Sequence, residues 1–310
     1  MFLNSSVKDD KQNPAQGQLN RPLSWISGHT EGLLRGAAVF SALIVLALFG
    51  FLAYFTLPLF AKGQLVELFS THWRPFHGEF GILPMLAGTL ALATSALLIA
   101  YPIGLGICLF VHGLGPARLA RPVLILIHCM TGIPTVVYGF VAVFLLVPLL
   151  RNSFAHGTGF SLLAASLTLS IMILPTIVLL INSQLQQVVP TLRLTTAALG
   201  ISRVQELTRI SLPAASYGLL AAAILGFGRA VGDTLIALMV AGNAAQIPES
   251  AFDSIRTLTA HIALVVATDS QSTTYHSLFA AGMILFLTTA MVNLLLHQIK
   301  RRVFQESNNE

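Results

Sequence analysis

The sequence predicts an all-α membrane protein with six transmembrane helices and with both termini in the cytoplasm. Of its 310 residues, 55% are hydrophobic and only 9% are charged, and the mean hydropathy is +0.79. An ordinary soluble domain carries roughly 25% charged residues, so this chain lacks the polar groups that a water-exposed surface needs. Its apolar residues fall in runs that are each long enough to cross a hydrocarbon layer of about 30 Å as a helix.

The apolar runs and the polar segments between them define the predicted organisation of the chain. Residues 1–32 are polar and are expected to form a mobile cytoplasmic tail. The first apolar run is too long for the core of a signal peptide and predicts a retained anchor. Residues 33–83 then hold the first span and an outer amphipathic segment, 84–300 the helical core, and 301–310 a second cytoplasmic tail. The predicted spans are residues 34–60, 84–112, 119–150, 161–182, 213–243 and 276–299.

The distribution of Lys and Arg predicts the orientation of these spans. An even number of spans places both termini on one side of the membrane, and cytoplasmic segments collect Lys and Arg. With the termini inside, twelve of the 17 basic residues lie in cytoplasmic segments, four in outer loops, and Arg229 in the membrane. The inner set is Lys8, Lys11, Arg21, Arg35, Arg118, Arg121, Arg193, Arg203, Arg209, Lys300, Arg301 and Arg302, and the outer set is Lys62, Arg74, Arg151 and Arg256.

The sequence contains no motif for covalent chemistry, nucleotide binding or metal binding. It has no G-x-x-x-x-G-K-[ST], no H-E-x-x-H and no G-x-S-x-G, and its nine histidines show no ligand spacing. Cys108 and Cys129 both lie in apolar runs, where small buried thiols are expected. We therefore expect no catalytic residue, no cofactor, no metal and no nucleic-acid partner. The lipid bilayer is the predicted surrounding, and moving or holding a solute is the predicted class of function.

One apolar stretch, "GFGRAVGDTLIALMVAGN" at 226–243, carries two charges, Arg229 and Asp233. In one continuous helix they would share a face at i and i+4. They could form an ion pair that fixes helix packing, or they could line a substrate path. Thr234 could add a hydroxyl to such a path, or bond back to its own helix. The small residues Gly226, Gly228 and Gly232 predict close helix packing, and the last two form a G-x-x-x-G pair.

The inner segment at 183–212 has apolar residues at helical spacing with charged residues between them. Its periodicity fits an amphipathic helix on the membrane surface and equally an arm that docks into a partner. A second pattern lies in the same segment: Ala197, Ala198 and Gly200, then nine residues, then Ile210, Leu212 and Pro213. This pattern resembles the EAA loop of ABC importer permeases.

The resemblance extends over about residues 65–300. The stretches "TGIPTVVYGFVAVFLLVPLL" and "LGFGRAVGDTLIALMVAGN" resemble conserved regions of the PstC-type permeases of phosphate-specific ABC importers. The resemblance implies the type I permease fold of ABC importers. It also implies a cytoplasmic coupling helix within 183–212 that docks a separate ATPase through Ala197, Ala198, Gly200, Ile210, Leu212 and Pro213.

By this resemblance the chain is the transmembrane subunit of an ATP-driven phosphate importer, in which a partner hydrolyses ATP. The implied partners are a second, PstA-like permease, two copies of an ATP-binding subunit and an outer phosphate-binding protein. A permease of the same superfamily for sulfate, molybdate or phosphonate is an alternative. A stand-alone channel or secondary transporter is another, but it would not need the segment at 183–212.

The resemblance places Arg229, Asp233 and Thr234 on the substrate path. The Arg guanidinium matches phosphate oxygens, and an ionised Asp could accept a hydrogen bond from the P–OH group that sulfate lacks. Two positions depart from the family pattern. Leu194 stands where the EAA loop usually has Glu, and Asp233 stands where these permeases usually have Glu.

Overall fold

The computed structural model describes residues 21–61, 70–74, 79–154, 157–268 and 273–307. By its contacts the chain forms two compact units, Met1–Phe51 and Leu52–Glu310. In the first unit a helix begins at Arg21, upstream of the predicted first span, and an exposed ion pair joins Arg35 to Glu31 at 2.6 Å. Residues 1–20 of the predicted mobile tail lie outside the described residues. The rest of that tail, residues 21–32, belongs to the helix.

The described residues are almost entirely helical. Within helical stretches, π-helical turns cover Phe110–Leu114, Ala142–Leu146 and Glu206–Ser211. A short antiparallel hairpin pairs β1 (Trp73–Arg74) with β2 (Glu79–Phe80) in the predicted outer segment. The helices are α1 (Arg21–Ala61), α2 (Leu83–Leu109), α3 (Ala117–Thr131), α4 (Thr135–Val141), α5 (Val147–Ser153), α6 (Leu162–Ala198), α7 (Arg203–Gln205), α8 (Leu212–Ala214), α9 (Ser216–Val231), α10 (Leu235–Val240), α11 (Leu258–Thr268) and α12 (Thr273–Ser307).

The helices confirm an all-α membrane protein. Among the described residues, four helical stretches are long and apolar enough to cross a membrane: Glu31–Leu57, Leu83–Leu114, Thr135–Ser153 and Leu162–Pro190. A fifth span results if Arg203–Ala214 and Ser216–Val231, which meet at a 69° bend, count as one. Shorter apolar stretches cover Leu258–Ala267 and Leu278–Val292. The count of six spans and the orientation of the termini therefore remain predictions.

The predicted third span is not one helix. The chain leaves the helical conformation after Thr131, and the spanning helix begins at Thr135. Pro134 has no amide hydrogen and adopts an extended backbone, with ψ at 143°. A proline also disfavours the helical conformation of the residue before it, here Ile133. The predicted span over roughly 119–150 is therefore divided at Pro134, and only its second part, Thr135–Ser153, is long and apolar enough to cross a membrane.

The predicted inner segment at 183–212 is mostly helix. Helix α6 continues through Pro190 to Ala198, so the chain reverses direction only over 199–202. The fifth predicted span, 213–243, is instead interrupted after Val231 and divided between α9 and α10. Helix α6 thus runs well past the predicted end of its span at residue 182, and the break after Val231 lies inside a predicted span.

Small residues let α2 and α6 pack closely at the centre of the second unit. Ala93, Ala96 and Ala100 are fully or almost fully buried on α2. A Cβ on Gly104 would lie 3.0 Å from the side chain of Ile177. The hydroxyls of Ser95 and Ser166 are 2.5 Å apart between the two helices. Close approach of this kind is how membrane helices gain packing energy where lipid removes the hydrophobic drive.

The loop between α10 and α11 folds back against the start of α2. The Thr89 hydroxyl accepts a hydrogen bond from the amide of Leu258 at 2.9 Å and is itself buried. A Cβ on Gly88 would lie 2.5 Å from the carbonyl oxygen of Arg256, so only glycine admits this approach. Two backbone hydrogen bonds close the loop. The amide of Ile255 donates to the carbonyl of Ala241, and the amide of Asn243 donates to the carbonyl of Ile255.

Gly88→Ala is therefore expected to lower the stability of the protein by about 1–3 kcal/mol, because the new methyl group collides with backbone that cannot move independently. Gly106 lies on the same helix and has no atom within 4 Å of its would-be Cβ, so Gly106→Ala is the matched control. This control should be neutral or stabilising by about 0.5–1 kcal/mol. Thermal unfolding of the purified protein in detergent measures both, and equal melting temperatures would contradict the assignment.

Candidate functional site

The two charges of the apolar stretch lie on either side of a helix break. Helix α9 ends at Val231, Gly232 follows as its C-cap, and α10 begins at Leu235. Arg229 therefore lies in the last turn of α9, whereas Asp233 precedes α10. They do not share one helix face, and although both residues are described, no ion pair joins them. The predicted intrahelical pair is thus replaced by two separate environments.

Asp233 and Thr234 hold the break together. The carboxylate of Asp233 accepts the amide of Ile236 at 2.9 Å and also faces the amide of Ala237, which makes it a cap of α10. The Asp233 carbonyl accepts the hydroxyl of Thr259 at 2.8 Å, which ties the break to α11. Thr234 contributes its carbonyl to the amide of Leu238 at 2.9 Å.

Arg229 keeps most of its donors unused. Its Nε donates to the sulfur of Met172 on α6 at 3.2 Å. Met172 is almost fully buried, so this contact fixes the base of the guanidinium group. The two terminal nitrogens have no hydrogen-bond partner among the described residues. A guanidinium held at Nε by a weak sulfur acceptor presents the remaining fork to a ligand. The carboxylate of Asp233 makes no ion pair with it but lies close enough to interact with its charge.

Arg229 lines a cavity of about 630 Å³. Four helices supply its polar lining, namely Thr131 at the end of α3, Thr176 on α6, Arg229 on α9 and Thr289 on α12. The apolar lining is Leu179, Leu180, Leu225, Gly228 and Val292. The cavity thus combines one cation with three hydroxyls in an otherwise apolar wall, and neither Asp233 nor Thr234 lines it.

The three glycines have different surroundings. A Cβ on Gly226 would lie 2.9 Å from Ile177 on α6, and one on Gly228 would lie 3.2 Å from Val292 on α12. Gly232 caps the end of α9, so it does not continue a packing face with Gly228. The first two glycines allow α6 and α12 to approach α9 on either side of Arg229.

The predicted coupling residues flank a helix–turn–helix at one end of the protein. Ala197 and Ala198 are the last residues of α6. Gly200 follows with φ at +68°, and the amides of Gly200 and Ile201 bond to the carbonyls of Ala197 and Thr196. This is a Schellman ending, which favours glycine at the left-handed position. Ile210, Leu212 and Pro213 lie on the second arm, in the π-helical turn and α8.

The tip of this helix–turn–helix exposes apolar side chains, and its inner side is packed. Leu199 is 71% exposed and Val204 is 52% exposed. Leu207 on the second arm is buried. A Cβ on Gly113 would lie 3.0 Å from the Leu207 side chain, so the second arm packs against the π-helical turn that follows α2. The second arm is therefore packed against the end of a membrane-spanning helical stretch, and the tip exposes two apolar side chains.

Sequence reasoning found Arg229 but missed Thr131, Thr176 and Thr289. Threonines in apolar helices usually bond to their own backbone and give no functional signal. Only the packing of four helices brings these three to one cavity. Thr131 was the one with a sequence signal, since it begins the stretch "TGIP" at the break before α4.

Comparison with known proteins identifies the family. Residues 103–305 match the family described as binding-protein-dependent transport system inner membrane component. The chain belongs to this family. YqgH, a probable ABC transporter permease protein of Bacillus subtilis, is 35% identical over 241 residues, which cover 76% of this chain and 77% of that protein.

Several relatives carry the name of a phosphate transport system permease protein, PstC. The PstC of Mesorhizobium japonicum is 30% identical over 289 residues, which cover 85% of this chain and 88% of that protein. The PstC of Haemophilus influenzae is 31% identical over 247 residues, which cover 74% of this chain and 78% of that protein. The predicted resemblance to PstC-type permeases is thereby confirmed.

Solved structures show the same fold. A chain of the inward-facing MetNI methionine ABC transporter aligns with a TM-score of 0.58 at 19% identity. The alignment covers 75% of this chain and 99% of that chain. A chain of an amino acid ABC transporter aligns with a TM-score of 0.53 at 17% identity, and the alignment covers 71% of this chain and 93% of that chain. The protein is accordingly the transmembrane subunit of an ABC importer and a multi-pass protein of the cytoplasmic membrane. Family membership implies an ATPase partner and a second permease subunit.

Replacing Asp233 tests its role as a helix cap. Asp233→Ala is expected to lower stability by about 0.5–2 kcal/mol, because the amide of Ile236 loses its acceptor. Asp233→Asn keeps a side-chain oxygen at the same place and should melt close to the wild-type protein. Thermal unfolding in detergent checks both. If Asn is as harmful as Ala, the charge matters and the capping explanation is wrong.

Proposed function

We propose that this protein is the transmembrane subunit of an ATP-driven importer of inorganic phosphate. The observation that carries the proposal is Arg229, which lines a cavity between four helices and whose terminal nitrogens have no hydrogen-bond partner among the residues that the structure describes. An arginine in a membrane-spanning region that forms no direct ion pair with a carboxylate of the described residues suits an anionic solute. The PstC relatives are the reason for naming phosphate among the oxyanions.

The cavity also suits passage of the anion. A single cation surrounded by apolar side chains and hydroxyls attracts phosphate without enclosing it in a cage of charges. Passage requires binding that is weak enough to release the solute. In our proposal Arg229 contacts the substrate, and Asp233 and Thr234 support the substrate path by holding the helix break that positions Arg229.

The exposed tip of the helix–turn–helix is the proposed docking site for the ATPase. Exposed apolar side chains such as Leu199 and Val204 are expected where a partner covers them. The second arm contacts the α2 helix through Leu207, so a movement of the ATPase reaches a membrane-spanning helix directly. Leu194, which replaces the usual Glu of the EAA loop, removes one acidic contact, and we propose that the apolar tip provides the contact instead.

The remaining proposed partners are a PstA-like permease, two copies of the ATP-binding subunit and an outer phosphate-binding protein. A polar groove of about 530 Å³ lies between the β1–β2 hairpin and the loop after α10. Arg74, Gln246 and Glu249 are among its lining residues. Such a groove fits the outer binding protein, which would release phosphate near it.

Arg229→Gln tests the substrate assignment. Loss of a charge-assisted contact should reduce phosphate uptake by about 10- to 100-fold, whereas Arg229→Lys, which keeps the charge, should retain part of the activity. Labelled phosphate uptake is measured in cells that lack other phosphate importers, at equal membrane abundance of each variant. Full uptake by Arg229→Gln would refute the proposal, and uptake of sulfate or molybdate in place of phosphate would support the alternative oxyanion.

The double variant Leu199→Ser, Val204→Ser tests ATPase docking. Loss of two apolar contacts should weaken association by about 100-fold or more, because fully burying each side chain contributes about 1.5–3 kcal/mol. Recovery of the ATPase with tagged protein measures association. The control is Thr195→Ser, an equally mild change at an exposed position of α6. If the ATPase never copurifies and uptake survives ATP depletion, the protein is a stand-alone transporter.

A further inference from the structure

The hydroxyls that face Arg229 differ from the guanidinium in what they offer a ligand. The Thr131 hydroxyl donates its proton to the carbonyl of His128 at 2.7 Å. The Thr289 hydroxyl donates its proton to the carbonyls of Leu285 and Phe286, both at 2.9 Å. A hydroxyl has one proton and two acceptor lone pairs. The hydroxyl oxygens of Thr131 and Thr289, both of which line the cavity, therefore have only acceptor capacity left.

Thr176 completes the set from the α6 side. It lines the same cavity, and its hydroxyl makes no hydrogen bond to any residue that the structure describes. It is thus free to rotate and to accept or donate as the ligand requires. Arg229, in contrast, is a donor in every state, because its guanidinium does not lose its proton in proteins. The cavity offers donors from one residue and acceptors from two or three others.

A ligand that matches this cavity must be an anion that also carries a hydrogen-bond donor. Every inorganic phosphate ion at neutral pH keeps at least one P–OH group, whereas sulfate keeps none. The unprotonated oxygens of phosphate match the terminal nitrogens of Arg229. Its P–OH group needs an acceptor, and a hydroxyl oxygen accepts it without the charge that would repel the anion.

The carboxylate of Asp233 is not available for this purpose. Asp233 does not line the cavity, and its Oδ2 already accepts the amide of Ile236. We infer that Thr131 and Thr289, assisted by Thr176, accept the P–OH hydrogen bond and select protonated oxyanions over sulfate within the membrane. This inference rests on the proposed function and assigns the selectivity to neutral acceptors.

The test uses the purified complete importer in lipid nanodiscs, without the outer binding protein, so that selection by that protein does not mask the cavity. Equilibrium dialysis with labelled phosphate and labelled sulfate gives the affinity of each anion. The double variant Thr131→Val, Thr289→Val removes both acceptors with little change of shape. Thr131→Ser, Thr289→Ser keeps both hydroxyls and is the matched control.

We expect the double Val variant to bind phosphate about tenfold more weakly and sulfate as the wild type does, so the preference for phosphate falls about tenfold. The double Ser variant should keep the preference. A second readout is pH. Moving from slightly alkaline to slightly acidic conditions adds a P–OH proton, so wild-type binding of phosphate should strengthen, and the double Val variant should lose this dependence.

An unchanged ratio of phosphate to sulfate affinity in the double Val variant would overturn the inference, as would equal losses in the Ser and Val variants. Arg229→Gln separates this failure from a failure of the proposed function. If Arg229→Gln abolishes phosphate binding while the Thr variants keep the wild-type ratio, only the role of the hydroxyls is wrong. If Arg229→Gln leaves phosphate binding intact, the proposed function fails as well.

Discussion

Backbone groups freed at a helix break inside a membrane must find partners within the protein, because lipid offers none. At the break after Val231, the Asp233 side chain accepts the amide of Ile236, and its carbonyl accepts the Thr259 hydroxyl. Arg229 stays in the last turn of α9, where the carbonyl end of a helix favours a cation, and Asp233 lies at the amide end of α10. Each charge is stabilised by a different helix end, so the two residues need not pair with each other. The terminal nitrogens of the guanidinium can then bind a solute.

The class of fold follows from the sequence because long apolar runs and few charges admit only membrane-spanning helices in a chain of this length. The positions of the breaks do not follow. Pro134 interrupts its helix, yet Pro175 and Pro190 lie inside the continuous α6. Proline alone therefore does not decide where a membrane helix ends. The break after Val231 depends on Thr259 and on the loop packed against α2, which are distant in sequence.

The candidate site could be predicted only in part, because some of its residues come together only through contacts between distant parts of the sequence. A lone arginine in an apolar run is conspicuous, and Arg229 was identified from it. The threonines around it were not, since each looks like an ordinary residue of its own helix and only tertiary packing gives them a common cavity. Gly200 lies between these cases: the spacing pattern identified the residue, and the structure shows that it is left-handed and closes a Schellman ending. Features encoded by neighbouring residues are readable, and those assembled from four helices are not.

The shortness of α10 and α11 has a consequence for how the protein is made. Helices of these lengths, 6 and 11 residues, rise only about 9 Å and 16 Å, well short of the hydrocarbon thickness. Neither is suited to enter the bilayer as an independent segment from the translocon. The loop between them packs against Gly88, and the amide of Leu258 donates a hydrogen bond to the Thr89 hydroxyl on α2. Helix α2 must therefore be in the membrane before α10 and α11 reach their final positions. Biogenesis would then proceed in two stages, with long helices inserting first and the broken region folding into the bundle afterwards.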